Sequence, residues 1–306
     1  LPLSLRRQRQ MCIRDRFITH DFGVVAEIAD RIAVMNRGRL VEVGAREDIL
    51  ARPKEAYTRM LVSSVPGLAP QARQAPEGEP VLIVDGLEKT YAERGFFKAK
   101  RTVHAVRDVS FTLRKKEIVG IVGESGSGKS TLARCIARLI DPSAGSVRLD
   151  GAEIATATKR EFHPVRKRIQ VVFQDPYRSL NARIRVGDSI VEGMRNFGVP
   201  EAEARARAVE LLDIVGLGAD TMERYPHQFS GGQRQRICIA RALALRPDIL
   251  IADEAVSALD VSVQAQVLEL IEDIRTRTDT AVLFITHDLR CLLYTSPSPR
   301  DQRGSR

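Results

Sequence analysis

A nine-residue stretch from Gly123 to Thr131, GESGSGKST, constrains the fold of this chain more than any other feature. Its spacing is G-x-x-x-x-G-K-[ST], in which the glycines let successive backbone N–H groups point inward at the start of a helix. An apolar run of strand length, 117–122, precedes it, and a helical pattern, 132–139, follows it. A strand, a glycine-rich loop and a helix in that order predict a phosphate-binding loop rather than a chance glycine-rich turn.

The residue types in this loop each have a chemical reason for their place. Lys129 is expected to reach the β- and γ-phosphates of a nucleotide, and the Ser130 hydroxyl to bind Mg²⁺. We therefore predict that the whole loop binds nucleotide, through Gly123, Glu124, Ser125, Gly126, Ser127, Gly128, Lys129, Ser130 and Thr131.

Both ends of the chain resemble translated sequencing adapter. Codons that can encode 6–15 and codons that can encode 291–296 form an inverted repeat of the kind that transposase-based adapters leave behind. We therefore set 1–16 and 290–306 aside as not native; a basic targeting peptide and a disordered Ser/Pro tail are the alternatives. Without these ends the net charge is +2 rather than +9, so charge does not indicate a nucleic-acid partner.

The two cysteines between those ends, Cys135 and Cys238, fall in helical patterns and lack metal-ligand spacing. They are expected to be ordinary buried thiols, which suits a reducing cytoplasm. The sequence contains no apolar run near the roughly 20 residues of a membrane-spanning helix.

The pentapeptide F-I-T-H-D occurs twice, at 17–21 and 284–288, a domain-sized offset. We interpret the repeat as two copies of one nucleotide-binding domain: 17–62 is the C-terminal remnant of the first, and 81–289 is the second, truncated near its end. A Pro-rich stretch with little apolar content, 63–80, is predicted to link them. Because residues 22–60 of the remnant correspond to the piece missing from the second copy, we expect them to dock there as in a circular permutant.

Polar residues at predicted strand ends complete the expected chemistry. Asp253 and Glu254 follow the apolar strand 249–252. Alone they would be an acidic turn, but beside a phosphate loop Asp253 is expected to hold Mg²⁺ and Glu254 to deprotonate the attacking water. Gln174 ends another strand, where it can touch the metal or the water. His287 ends the last strand, where an imidazole can contact the γ-phosphate.

The run F-S-G-G-Q-R-Q-R, 229–236, opens a helix predicted to reach Leu245, a second helix start suited to an anion. With this run the sequence resembles the ATP-binding cassette (ABC) family over 17–289. Phe229 stands where the family usually has Leu, and Ala255-Val256 where it usually has Pro-Thr. The motifs of the family correspond to residues of this chain as follows: Walker A to Gly123–Thr131, the Q-loop to Gln174, the signature to Ser230–Gln233, Walker B to Ile249–Asp253 followed by Glu254, the D-loop to Ser257–Asp260, and the switch histidine to His287.

The resemblance implies an α/β fold of the P-loop NTPase class: a RecA-like mixed sheet, an antiparallel β subdomain and a helical signature subdomain. It implies ATP and Mg²⁺ as cofactors, with Tyr91 stacked on adenine. The implied catalytic residues are Glu254, His287 and Gln174, and the implied Mg²⁺ ligands are Ser130, Gln174 and Asp253. A second cassette would face the first head to tail, so that ATP also meets a signature in trans, through Ser230, Gly231, Gly232 and Gln233.

Longer stretches resemble the oligopeptide/dipeptide importer branch of the family, namely 173–181, 225–228, 253–262 and 95–97. Two cassettes in one chain resemble its fused ATPase subunits, including those for glutathione. The resemblance implies transmembrane permease subunits, a periplasmic or lipid-anchored solute-binding protein and no nucleic acid as partners. It also implies a peripheral location on the cytoplasmic face of the bacterial inner membrane.

Three alternatives stay open at this point. An ABC-type ATPase that acts on nucleic acid or ribosomes would carry long insertions or a long charged linker. This chain has a short Pro-rich linker, no C-x-x-C and a near-neutral charge between its ends. An exporter cassette would usually be fused to a membrane domain, which the sequence does not show. The chain can also be a fragment without function of its own.

The adapter interpretation makes a direct prediction about the gene. An unfragmented genomic amplicon of the locus should lack the codons for 1–16 and 290–306, because adapters are added only during library preparation. Sequencing that amplicon tests this, and finding the same codons in it would contradict the interpretation.

Overall fold

The computed structural model describes residues 29–36, 39–63, 78–92, 102–256, 259 and 261–286. The chain divides into two compact units: an N-terminal unit within 1–65 and a C-terminal unit within 66–306. Several predicted features lie outside the described residues: both adapter-like ends, the first F-I-T-H-D copy, most of the linker, His287, and Ser257, Ala258 and Asp260 of the D-loop. The predicted domain boundaries and the docking of 22–60 on the second cassette therefore stay predictions.

The N-terminal unit is a β-hairpin followed by two short helices. Its antiparallel strands are β1 (Arg31–Asn36) and β2 (Arg39–Ala45), and its helices are α1 (Arg46–Ala51) and α2 (Ala56–Ser63). Ile32, Val34 and Ile49 form its small buried core. The Glu42 carboxylate accepts hydrogen bonds from the N–H groups of Lys54 (3.0 Å) and Glu55 (3.2 Å), and the Lys54 bond contributes most to lowering the pKa of Glu42. Glu42 thus fixes the chain just before α2.

The described strands of the C-terminal unit form two four-stranded sheets. One is antiparallel, with the order β4-β3-β6-β7, and the other is parallel, with the order β5-β10-β9-β8. The strands are β3 (Pro80–Ala92), β4 (Thr102–Arg114), β5 (Ile118–Val122), β6 (Ala144–Leu149), β7 (Ala152–Glu153), β8 (Ile169–Val172), β9 (Ile249–Asp253) and β10 (Ala281–Thr286).

The described helices of this unit lie between its strands in the sequence. They are α3 (Lys129–Ile136), α4 (Lys159–Phe162), α5 (Pro176–Ser179), α6 (Val186–Asn196), α7 (Glu201–Ile214), α8 (Gly231–Leu243) and α9 (Val261–Arg277), with 3₁₀ turns at Pro164–Lys167, Ala219–Glu223 and Pro226–Gln228. No helix in the described part of the chain combines the length and apolar character needed to span a membrane.

Alternating residues of the central strands build two separate cores. Leu250 and Phe284 pack with the layer of α6, α7 and α8, whereas Ile251 and Leu283 pack with α3 and the antiparallel sheet. Both faces of β9 and β10 are therefore covered, and every residue of the two strands is buried. This explains why their sequences are apolar without alternation, because a parallel strand inside such a sheet meets no solvent on either face.

The predicted fold class is confirmed, and the structure refines it in three places. The antiparallel strands form a separate sheet, as expected for the β subdomain, and the described strands of the RecA-like sheet are all parallel. The helix predicted over 132–139 begins at Lys129 and ends at Ile136. Two residues later, Arg138 has a positive φ of 52°, which a helix cannot contain. The helix predicted to reach Leu245 ends at Leu243.

The prediction of ordinary buried thiols is also confirmed. Cys135 and Cys238 are buried and not in disulfides. Burial raises the pKa of Cys238 to about 11, so its thiol stays protonated and unreactive at neutral pH.

The close passage of β6 over β3 gives a stability prediction. Gly145 has φ +90°, and a Cβ added there would lie 2.3 Å from the Gly86 carbonyl oxygen. Gly151 has a similar φ of +78°, but a Cβ there would meet nothing within 4 Å. Gly151→Ala should therefore cost only the conformational penalty, about 1 kcal/mol. Gly145→Ala should cost about 1–3 kcal/mol more, because the backbones must separate.

Urea unfolding of the two variants measures that difference in the free energy of unfolding. Equal losses of unfolding free energy in Gly145→Ala and Gly151→Ala would show that the backbones of β3 and β6 do not approach as closely as described.

Candidate nucleotide-binding site

The phosphate loop joins the end of β5 to the start of α3, and its glycines are required by its backbone. Gly128 is the residue before α3 and has φ +97°, and a Cβ there would lie 2.0 Å from the Ala105 carbonyl oxygen of β4. Gly126 has φ +83°. Position 128 therefore excludes any side chain, because the loop passes directly against the backbone of the antiparallel sheet.

The Lys129 ammonium folds back over its own loop. Its Nζ donates hydrogen bonds to the carbonyl oxygens of Gly123 (2.7 Å) and Glu124 (2.8 Å), with the Ser127 hydroxyl at 3.5 Å. Only 7% of the Lys129 side chain is exposed. The ammonium is thus held at the centre of the loop by neutral carbonyl groups, which a negatively charged phosphate group could replace.

A hydrogen bond connects the loop to the strand-end aspartate. The Ser130 hydroxyl donates to Asp253 Oδ1 at 2.9 Å, across 123 residues of sequence. Asp253 is buried, and this burial is the main cause that raises the pKa of its carboxyl; the charge of Glu254 adds to the effect, whereas the Ser130 bond opposes it. Carboxylate and hydroxyl oxygens are ligands that Mg²⁺ prefers, and a buried carboxylate with a raised pKa favours a nearby cation. Ser130 and Asp253 therefore fit a magnesium site.

A second hydrogen bond joins the other two polar strand ends. Gln174 Nε2 donates to Glu254 Oε2 at 2.8 Å, across 80 residues of sequence. Glu254 directly follows β9 with a positive φ of 50°, and its N–H donates to the Ile285 carbonyl oxygen of β10 at 2.9 Å. A non-glycine residue in this conformation is strained, and such strain concentrates at functional sites.

These contacts bring most of the predicted site residues to one edge of the parallel sheet. Because β5, β8 and β9 run in the same direction, the residues that follow them meet where the strands end. Tyr91, predicted to stack on adenine, lies in β3 with 43% of its side chain exposed, and the Lys89 ammonium is 5.2 Å from its ring centroid. The ring is accessible to a planar ligand. His287 lies outside the described residues.

The signature residues are engaged with one another rather than with the phosphate loop. Ser230 Oγ accepts from the Gln233 N–H (3.3 Å), and Gln233 Oε1 accepts from the Ser230 N–H (3.0 Å). This reciprocal pair is a capping box at the start of α8. A Cβ on Gly232 would lie 2.4 Å from Val263 of α9, so this glycine permits close helix packing.

Two features of this region escaped the sequence reasoning. The spacing S-x-x-Q before an apolar run is a capping-box pattern, which the interpretation as an anion site alone leaves out. The Tyr177 ring, with the Arg234 guanidinium carbon 3.9 Å from its centroid, was not predicted, because no local pattern connects α5 to α8.

Residues 106–257 match the family model described as "ABC transporter". The chain belongs to the ABC transporter family. Residues 41–95 match a second model, "Oligopeptide/dipeptide transporter, C-terminal region", which places this ABC protein in the oligopeptide/dipeptide branch. The family and branch predicted from the sequence are therefore confirmed.

Among curated proteins, this ABC chain is similar to the glutathione import ATP-binding protein GsiA. It is 46% identical to the protein of Escherichia coli (strain K12) and 45% identical to that of Salmonella typhi, in each case over 92% of this chain and 50% of the relative. The chain thus spans about half the length of the curated relatives that it matches.

Solved structures of ABC cassettes share the fold. The dimeric cassette MJ0796 bound to ADP and Pi is 29% identical, with a TM-score of 0.62, over 70% of this chain and 91% of that one. The cbiO1 protein of Clostridium perfringens is 27% identical, with a TM-score of 0.60, over 71% of this chain and 82% of that one.

The raised pKa of Asp253 predicts the effect of removing its charge. At neutral pH the ionised carboxylate is less favourable in the folded chain than in the unfolded chain. Asparagine keeps an oxygen for the Ser130 hydroxyl, so Asp253→Asn should raise the urea midpoint at pH 7. The gain should shrink as the pH falls and should vanish below the ordinary aspartate pKa, where wild-type Asp253 is protonated in both states.

Urea titrations at pH 7 and at successively lower pH measure this gain. Asp279→Asn is the matched control, because that carboxylate is 82% exposed and should contribute little. A lower midpoint for Asp253→Asn than for wild type at pH 7 would contradict the prediction.

Proposed function

We propose that this chain is the ATP-binding and ATP-hydrolysing part of an ABC importer for peptides or similar small solutes. The observation that carries the proposal is the pair of hydrogen bonds, Ser130 to Asp253 and Gln174 to Glu254, beside the Lys129 loop. Together they assemble a phosphate cradle, three side chains with oxygen atoms suited to Mg²⁺ and a carboxylate base at one sheet edge, which are the parts that phosphoryl transfer needs.

Binding of ATP begins with an exchange of partners at Lys129. The ammonium leaves the carbonyl oxygens of Gly123 and Glu124 for the β- and γ-phosphate oxygens, where its hydrogen bonds are charge-assisted. The N–H groups at the start of α3 add donors along the phosphates. Tyr91 offers its exposed ring to adenine.

Three side chains would hold Mg²⁺ beside the phosphates: Ser130, Asp253 and Gln174. When bound, the ion neutralises phosphate charge and aligns the transferred group. Asp253 contributes a buried carboxylate, and Ser130 contributes the hydroxyl that is hydrogen-bonded to it. Gln174 contributes its side-chain oxygen once its Nε2 no longer donates to Glu254.

Glu254 is the residue that we assign to the attacking water. Its Oε2 accepts a hydrogen bond from Gln174, so the two side chains can share one water between amide and carboxylate. The carboxylate takes the water proton as the oxygen attacks the γ-phosphorus. We assign the γ-phosphate contact to His287, which follows β10 in the sequence, because an imidazole can donate a hydrogen bond to a phosphate oxygen.

Efficient hydrolysis in this proposal needs a second cassette facing the first. The residues assigned to contact its ATP are Ser230, Gly231, Gly232 and Gln233, at the N-terminal end of α8. A helix start with exposed Ser and Gln side chains favours an anion. The similar cassette MJ0796 forms a dimer in its structure with ADP and Pi, which supports this arrangement.

The oligopeptide/dipeptide match at 41–95 and the similarity to glutathione importers support peptides or related small solutes as the cargo. The proposed partners are transmembrane permease subunits and a periplasmic or lipid-anchored solute-binding protein. The proposed location is the cytoplasmic face of the inner membrane. We also retain 17–62 as the end of a first nucleotide-binding domain and 81–289 as the second, joined by 63–80.

Substitution of Glu254 separates ATP binding from ATP hydrolysis. Glu254→Gln keeps the size and polarity of the side chain but cannot take a proton, so phosphate release at saturating ATP should fall by about 10²–10⁴-fold. The affinity for ATP, measured by calorimetry on the same full chain, should stay near the wild-type value.

The control is Glu269→Gln, an exposed glutamate on α9 that should leave both quantities unchanged. Unchanged phosphate release in Glu254→Gln would remove Glu254 from its assigned role, and no ATP binding by the wild-type chain would reject the proposed function.

A further inference from the structure

Tyr177 stands close to Gln174 in the chain and is held in a fixed orientation. It belongs to α5, whose first turn is capped by Asp175: the carboxylate accepts from the N–H groups of Tyr177 (2.8 Å) and Arg178 (3.3 Å). Pro176 at the first position of α5 is buried. A capped helix start leaves Tyr177 little freedom relative to Gln174.

The Tyr177 ring packs on the first turn of α8. The Arg234 guanidinium carbon lies 3.9 Å from the ring centroid, and Arg234 Nε donates to the Pro226 carbonyl oxygen at 2.7 Å. A Cβ built on Gly231 would lie 3.9 Å from the Tyr177 hydroxyl. Because the Tyr177 side chain is 64% exposed, the cation–π contact rather than apolar burial determines where the ring lies.

A second arginine–aromatic contact lies on the other side of Ser230. The Arg224 guanidinium carbon is 4.3 Å from the centroid of Phe229, and Arg224 also donates to the Gln228 carbonyl oxygen at 3.2 Å. Phe229, which departs from the usual Leu, supplies the aromatic face. The far end of α5 is also held on α8, because Arg241 donates to the Ser179 carbonyl oxygen at 2.5 Å.

These contacts show how the start of α8, which carries the signature residues Ser230–Gln233, is held in place. Phe229 is 5% exposed and anchored in the core, so its side of Ser230 is fixed by burial. On the other side the contact is made by the exposed ring of Tyr177 to Arg234, which is itself only 8% exposed. On this side of Ser230, the first turn of α8 is thus in contact with a ring at the protein surface.

We propose that Tyr177 is a positioning residue for the signature: through Arg234 it sets the position of Ser230–Gln233 and so controls hydrolysis of the ATP bound by a facing cassette. This inference rests on the proposed function, because the signature serves a second copy only if two cassettes face each other. Tyr177 does not contact Lys129 or Ser130 in the phosphate loop of its own chain. A change at Tyr177 should therefore alter the turnover number without altering the affinity for ATP.

Two substitutions of Tyr177 test the role of the aromatic face. Tyr177→Leu keeps an apolar side chain but loses the ring, and it should lower the turnover number at saturating ATP by roughly tenfold, the scale of one arginine–aromatic contact. ATP affinity should not change. Tyr177→Phe keeps the ring and should restore the turnover number to within about twofold of wild type.

Mixing with an inactivated copy decides in which cassette Tyr177 acts. Lys129→Ala removes the phosphate contact of one copy but leaves its own Tyr177 and signature unaltered. With that copy in excess, the phosphate loop of each Tyr177→Leu chain faces the intact signature of a Lys129→Ala chain. The turnover per Tyr177→Leu chain should then recover to the turnover per wild-type chain in the same excess of Lys129→Ala. Turnover that stays at the Tyr177→Leu level would overturn the proposal, because it would show an effect on the chain's own site.

Hydrogen exchange of the amides at the start of α8 supplies a measurement that needs no hydrolysis. In the full chain without nucleotide, these amides should exchange at least about threefold faster in Tyr177→Leu than in Tyr177→Phe, because the helix start is less fixed. Equal exchange in the two variants would overturn the proposal. If the wild-type chain hydrolyses no ATP, the proposed function fails, and the exchange measurement alone then decides whether Tyr177 positions the helix.

Discussion

The hydrogen bond between Ser130 and Asp253 depends on most of the C-terminal unit being in place. It requires β5 and β9 to end at the same edge, on either side of β10, and α3 to start directly after the loop. It also requires Gly128, since any Cβ there would collide with the backbone of β4. The parallel sheet, the antiparallel sheet and the loop therefore form one geometric constraint, and the site is its consequence.

The polar groups of the site are already paired with one another, as buried polar groups generally are. Lys129 bonds to loop carbonyls, Ser130 to Asp253, and Gln174 to Glu254. Binding of ATP and Mg²⁺ would replace these bonds rather than add to them, so the affinity is a difference between two sets of contacts. The raised pKa of Asp253 shows that its ionised carboxylate is unfavourable in the existing set, and a bound cation would relieve that cost.

The sequence predicted the elements of the site better than the connections between them. The loop pattern and the polar ends of apolar strands identified Lys129, Asp253 and Glu254, because those signals are local. The bond from Gln174 to Glu254 depends on β8 and β9 being neighbours, and strand order is not encoded in either strand alone. The contact of Tyr177 with Arg234 depends in the same way on how α5 meets α8, so only the structure could reveal it.

The central claim is that this edge of the sheet binds ATP together with Mg²⁺, and calorimetric titration of ATP into the full chain tests it most directly. The titration is performed once with excess Mg²⁺ and once with the metal chelated by EDTA. The account predicts an affinity at least about tenfold higher with Mg²⁺, because Ser130 and Asp253 can then contact the nucleotide through the ion. Equal affinities in the two titrations would contradict it.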